Sequence, residues 1–169
     1  MIREILKYGA PELAKKSAPV TDFDSDLRVL AEDMLETMYA APGVGLAAPQ
    51  VGVNLRMTVI DIAGHRNEED PLILVNPRIV GEEGSQKGEE GCLSIPDFTA
   101  VVERPYRVNV TAQDLEGHFL ELDSTELLAR VLCHEIDHLE GILYLDRISP
   151  LRRDLIKRKI RKLRRAGDW

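Results

Sequence analysis

A chain of 169 residues, 44% of them apolar, has the length of one ordinary domain and enough apolar surface to bury a core without disulfides. No apolar run approaches the ~18 residues of a membrane span, and Met1-Ile2-Arg3-Glu4-Ile5-Leu6-Lys7 opens neither a secretion signal nor an Arg-rich, acid-poor transit peptide. A cytoplasmic protein with no membrane partner is therefore expected. The net charge of -7 hides an asymmetry: residues 151–169 carry nine Lys or Arg against Asp154 and Asp168, a tail of +7 on a body of -14, and an acidic body argues against DNA as its partner.

Taken in chain order, the first element is an amphipathic helix from Asp24 to Ala40, with Leu27, Leu30, Ala31, Met34 and Met38 at helical spacing and Pro42-Gly43 closing it. From about Gly45 to Asp123 the pattern changes to short apolar or alternating runs, at Met57–Ile60, Leu72–Val75, Ala100–Val102, Val108–Ala112 and Phe119–Leu122, which read as strands. Asp114-Leu115-Glu116-Gly117 has hairpin-turn chemistry, so antiparallel pairing is expected. A second helix starts at Ser124, uses Leu127, Leu128, Val131 and Leu132 as apolar contacts and runs to Gly141. A last helix, about 149–166, begins at Ser149-Pro150 and carries a stripe of Leu155, Ile156, Ile160 and Leu163. The expected architecture is α+β, one domain over residues 1–169, with mostly antiparallel sheets around the central second helix. Its basic last helix reads either as a surface for an anionic partner or as a plain solvated face.

The second helix carries His134-Glu135-Ile136-Asp137-His138. Histidines four apart differ by about 40° around a helix and can reach one metal ion. Glu135 lies about 60° from His138, beside the ion, where a carboxylate can take a proton from water. A catalytic site of this kind uses three protein ligands. The long zinc-protease pattern HExxHxxGxxH has Gly141 in place but Tyr144 where its last histidine should be, and no Glu follows Glu140. The remaining ligand is upstream: Cys92, in the Gly-flanked Glu89-Glu90-Gly91-Cys92-Leu93-Ser94, where backbone can approach an ion closely. Cys133 points about 100° away from His134 and reads as buried filler. Asp137 reads equally as the partner of a basic residue such as Arg104 or as a solvated carboxylate.

Gly43-Val44-Gly45-Leu46-Ala47-Ala48-Pro49-Gln50 is a third segment of glycines and small residues, suited to close approach of a ligand. With these three segments in this order and at these separations, the chain resembles bacterial peptide deformylases over nearly its full length. The resemblance implies removal of the formyl group from N-formylmethionine of newly made proteins, releasing formate. It implies one divalent ion held by Cys92, His134 and His138, Fe2+ in the cell with Zn2+, Ni2+ or Co2+ as substitutes, and Glu135 as proton shuttle. It also implies an oxyanion hole from the Gln50 side-chain amide and the Leu93 N–H, with peptide backbone against Val44, Gly45 and Gly91 and the methionine side chain near Leu127, Val131 and His134. The last helix resembles the segment by which some deformylases dock near the ribosomal exit tunnel. This chain has Cys133 where relatives often carry Gln, and Thr99 where some carry Arg.

Two rivals are weaker. A zinc endopeptidase lacks its downstream ligand here, and the chain is short for two lobes around a cleft. A non-catalytic nucleic-acid-binding protein with a structural metal would suit the basic tail but not the acidic body.

Overall fold

The computed structural model describes residues 1–64 and 71–169. Helix α1 spans Ser25–Ala40, and Asp24 caps it by accepting the Leu27 N–H at 3.0 Å. Strands follow at Gly45–Ala47 (β1), Met57–Ile60 (β2), Leu72–Glu83 (β3), Gln86–Cys92 (β4), Ile95–Arg104 (β5), Arg107–Gln113 (β6) and Phe119–Thr125 (β7). Helix α2 is Glu126–Leu139 and α3 is Pro150–Ala166. Single 3-10 turns lie at Pro11–Ala14, Ala48–Val51 and Tyr144–Arg147.

Five strands form one sheet in the order β1-β2-β3-β6-β7, while β4 and β5 form a separate hairpin, and the strand pairs of both are antiparallel. All four residues of β2 are buried, because alternate side chains join different clusters. Met57 and Val59 pack with Leu27, Met34 and Met38 of α1, whereas Ile60 packs with Val131, Leu132 and Ile136 of α2. The period of two in a strand therefore sets the two helices against opposite faces of the sheet. Burying each such Leu, Ile or Met contributes about 1.5–3 kcal/mol before ordering costs are counted. A third cluster joins Ile95 and Val102 of β5, Tyr144 and Leu145, and Ile156 and Ile160 of α3.

The expected α+β architecture with a central second helix is the one observed, with corrections to its parts. Helix α2 begins at Glu126, not Ser124, because Ser124 and Thr125 still pair with Val108 and Arg107 of β6. It ends at Leu139 rather than Gly141. In α3, Leu155 is exposed and Leu163 half-buried, so Ile156 and Ile160 alone anchor that helix in the core. Strand β3 runs beyond Val75 through Asn76-Pro77, since a register shift between Val75 and Arg78 absorbs the proline and Asn76 takes φ 50. Strand β4 goes unrecognised in sequence because Gln86–Cys92 is polar and has two glycines. No helix among the described residues is long and apolar enough to cross a membrane.

Candidate metal centre and catalytic cleft

Every residue of α2 from Ala129 to Leu139 is buried, including five that carry polar or charged side chains: Arg130, His134, Glu135, Asp137 and His138. On a helix this deep each polar group left without a partner is costly. Partners for Arg130, His134, Asp137 and His138 come from the β4–β5 hairpin, which lies beside it, whereas Glu135 Oε2 and His138 Nδ1 have none among the described residues.

Cys92 ends β4, one residue before the tight Leu93-Ser94 turn into β5, and a register shift between Gly91 and Cys92 re-aims the strand there. Its Sγ lies 3.4 Å from His138 Nε2, and the ligand atoms of Cys92, His134 and His138 all fall within 4.8 Å of one another. Tetrahedral bonds of about 2.0–2.3 Å would set such atoms roughly 3.5 Å apart, so the three side chains fit a single ion. The fit extends to charge. His134 is flanked by Glu90, 2.9 Å from Nδ1, and by Cys92; burial alone would lower its pKa, but these acceptors hold it well above the usual value. With Nδ1 bonded to the Glu90 carboxylate, the other ring nitrogen is left for the cluster with Cys92 and His138, where a metal ion can take it. Burial pushes His138 well below the usual range, toward the neutral form that a ligand needs. Cys133 is buried in the α2 core with its thiol pushed up to about 11 by desolvation, and is not in the cluster.

Glu135 is 4% exposed, and its Oε2 has no hydrogen-bond partner among the described residues. Burial pushes its carboxyl up to about 7, with His134 pulling the other way. Its Oε1 sits 4.0 Å from His134 Nε2. Gly45 is required beside it, since a Cβ there would come within 2.7 Å of Glu135 Oε1. Gln50 is also buried. The Ala47 N–H bonds to Gln50 Oε1 at 2.9 Å, which turns the amide NH2 toward Ser94 Oγ at 3.0 Å and Cys92 Sγ at 3.6 Å. Leu93 closes the opposite wall, packed so tightly on Gly43 that a Cβ on that glycine would lie 2.7 Å from Leu93 Cδ1.

These residues open on one cleft of about 610 Å3. Val44, Gly45, Gln50, Gly91, Cys92, Leu93, Leu127, Val131, His134 and Glu135 all line it, so every residue expected at the site except His138, which is 1% exposed beneath it, faces the same cavity. Val44 and Leu127 stand 45% and 51% exposed, apolar surface left open at the mouth.

Of the ion-pair group beneath the site, sequence reasoning offered only the Asp137–Arg104 pair, as one of two readings, and gave no role to the pairing of Glu90 with Arg104 and Arg130. Glu90 accepts from Arg104 Nε and Nη2 at 3.0 and 2.9 Å, and from Arg130 Nη1 at 2.8 Å, in addition to its contact with His134. Burial alone would raise its carboxyl, but His134 and Arg104 hold it at about 2. Arg104 also donates to Asp137 Oδ2 at 2.6 Å, and Arg147 donates to Asp137 Oδ1 at 2.8 Å, so of the two readings of Asp137 the paired one holds. The signal available in sequence was an Arg inside an apolar run, Leu127-Leu128-Ala129-Arg130-Val131-Leu132, since buried arginine is rare unless paired.

Residues 2–154 match the family model described as polypeptide deformylase. The chain is 52% identical over 169 residues to the peptide deformylase of Acidobacterium capsulatum, covering 100% of this chain and 99% of that one. It is 50% identical over 166 residues to that of Alkalilimnicola ehrlichii, covering 98% and 93%. The crystal structure of a peptide deformylase from Legionella pneumophila superposes with a TM-score of 0.92 at 46% identity, over 99% of this chain and 98% of that one. With a Cys-His-His cluster at the floor of its cleft and full-length likeness to these enzymes, the chain belongs to the polypeptide deformylase family and is a hydrolase that removes the N-formyl group of newly made peptides.

Proposed function

We propose that Cys92, His134 and His138 hold one divalent ion, Fe2+ in the cell, and that Glu135, Gln50 and Leu93 act on the formyl group beside it. When bound, the ion supplies positive charge that polarises the formyl carbonyl and acidifies water. Glu135 takes a proton from water and hands it to the departing nitrogen, a role suited to a buried carboxylate whose Oε2 has no other partner among the described residues. The Gln50 amide and the Leu93 N–H donate to the formyl oxygen as negative charge develops on it. Gln50 needs little reorganisation for this, because the Ala47 N–H already fixes its amide orientation.

The peptide backbone lies between two sheet edges, β1 on one side and β4 on the other, where Val44, Gly45 and Gly91 leave room for main-chain contact. Leu127 and Val131 receive the methionine side chain. The observation that carries this reading is the convergence of three separate segments on one cleft with the metal-ligand cluster at its base. Formate release from an N-formylmethionyl tripeptide, using protein prepared without oxygen, is the test. Rapid release that tracks one bound iron per chain is expected; release by thoroughly metal-stripped protein would defeat the metal assignment.

The chain acts as one catalytic domain over 1–169 in the cytoplasm, with α3 as its ribosome-facing tail near the exit tunnel. Arg158, Lys159, Arg161, Lys162 and Arg165 are exposed there, while Ile156 and Ile160 pin the helix to the core. Phosphate contacts make binding strongly salt-dependent. Cosedimentation with ribosomes that is indifferent to salt, or to replacing these five residues by Gln, would sink the docking role.

A further inference from the structure

We infer that this cleft selects, among formylated peptides, those with a basic side chain in the residues that follow methionine, and that Glu89 and Asp97 set the preference. The inference rests on the cleft being the peptide site. The charged side chains lining it are Glu89, Glu90, Asp97, Arg130 and Glu135, alongside His134. Three of these are spoken for: Glu90 and Arg130 bind each other at 2.8 Å, and Glu135 lies buried at the floor. What remains at the rim is Glu89 and Asp97, both exposed and both negative.

Among the described residues that line the cleft the one basic side chain is Arg130, which is paired with Glu90, so neither acid has a countercharge there. Glu89 Oε1 accepts from the neutral Thr99 hydroxyl at 2.6 Å, which holds the carboxylate in place without cancelling it. Arg152 and Lys7 are not among the lining residues: Arg152 donates to the Thr99 carbonyl at 3.5 Å, and Lys7 lies over the Trp169 ring, which packs against Phe98. Asp97 sits at φ 69, a conformation that Asp and Asn tolerate better than most side chains. Glu89 is two residues from Gly91 on β4 and so shares its face. At about 3.3 Å per residue it stands roughly 7 Å along the strand from the glycine that admits the backbone, within reach of a side chain a residue or two from the one at Gly91.

The test is formate release by the full chain with its metal retained, from formyl-Met-Ala-Xaa and formyl-Met-Xaa-Ala peptides with Xaa as Lys, Gln or Glu. At low ionic strength kcat/KM is expected to favour Lys over Glu by about tenfold in at least one series, and the ratio to shrink as salt is added. Glu89→Gln with Asp97→Asn, which keep the hydrogen bond and the backbone preference, should bring the ratio close to one. Glu121→Gln, an exposed acid on β7, should leave it unchanged. A ratio near one in the native chain, or one that survives the double substitution, overturns the inference. Failure on the Gln peptides as well would instead remove the deformylase reading beneath it, and the inference with it.

Discussion

Glu135→Gln lowers kcat/KM for formate release by about 10²–10⁴-fold, the range for loss of a positioned proton-transfer group, while metal content stays at the native level. The amide matches the carboxylate in shape but can neither take a proton from water nor return one. The fold should not suffer. Glu135 is buried and its Oε2 has no partner among the described residues, so the native charge is costly to bury and the neutral amide leaves stability unchanged or slightly raised. Turnover within tenfold of native, with normal metal content, would remove Glu135 from the chemistry. Gly45→Ala reaches the same carboxylate from the other wall, because the added Cβ would sit 2.7 Å from Glu135 Oε1. A displacement of about 1 Å at such a group costs on the order of 10²-fold. Combining the two substitutions should then cost little more than Glu135→Gln alone, since both act through one side chain. Full additivity would mean that Gly45 matters only for binding peptide.

How much of this was legible in sequence depends on how local each cause is. Helix α1 was readable because Asp24 caps it within three residues and its buried face repeats with the helical period. The metal ligands on α2 were readable for the same reason, as a helix turn fixes the spacing of His134 and His138. Cys92 required elimination among distant candidates, and only the β4–β5 turn explains how it reaches them. Strand β4 has no apolar alternation of its own; its order comes from pairing with β5 and from Arg130, which bonds to the Gly88 carbonyl at 3.2 Å from 42 residues away. Glu90 was quoted only as part of a motif because its role is set by Arg104 and Arg130, whose pairing with it is a property of the fold. Residues on one turn announce themselves, and residues joined across elements do not.

The ion-pair group is where a single substitution should do most damage to the fold. Arg104→Leu is expected to lower unfolding free energy by about 3 kcal/mol, the lower end of the range for removing one partner from a buried pair. Arg104 has a side chain only 3% exposed and bridges Glu90 of β4 to Asp137 of α2. Leucine supplies apolar contact that the arginine stem already provides, so hydrophobic gain is small. The loss leaves two buried carboxylates short of a donor. It stops short of the upper end of that range, about 5 kcal/mol, because Glu90 keeps Arg130 and His134, and Asp137 keeps Arg147. Metal affinity should fall as well, by about 10–100-fold, since Glu90 orients His134 and is itself oriented by Arg104. Arg104→Lys separates the two effects: it keeps the positive charge but cannot bond both carboxylates with a planar fork, so it should recover part of the stability and little of the affinity. Urea unfolding of the metal-loaded chain and competition with a chelator measure the two quantities. Stability of Arg104→Leu within about 1 kcal/mol of native, inside the usual range for a surface pair, would show that the group contributes no more than an exposed salt bridge.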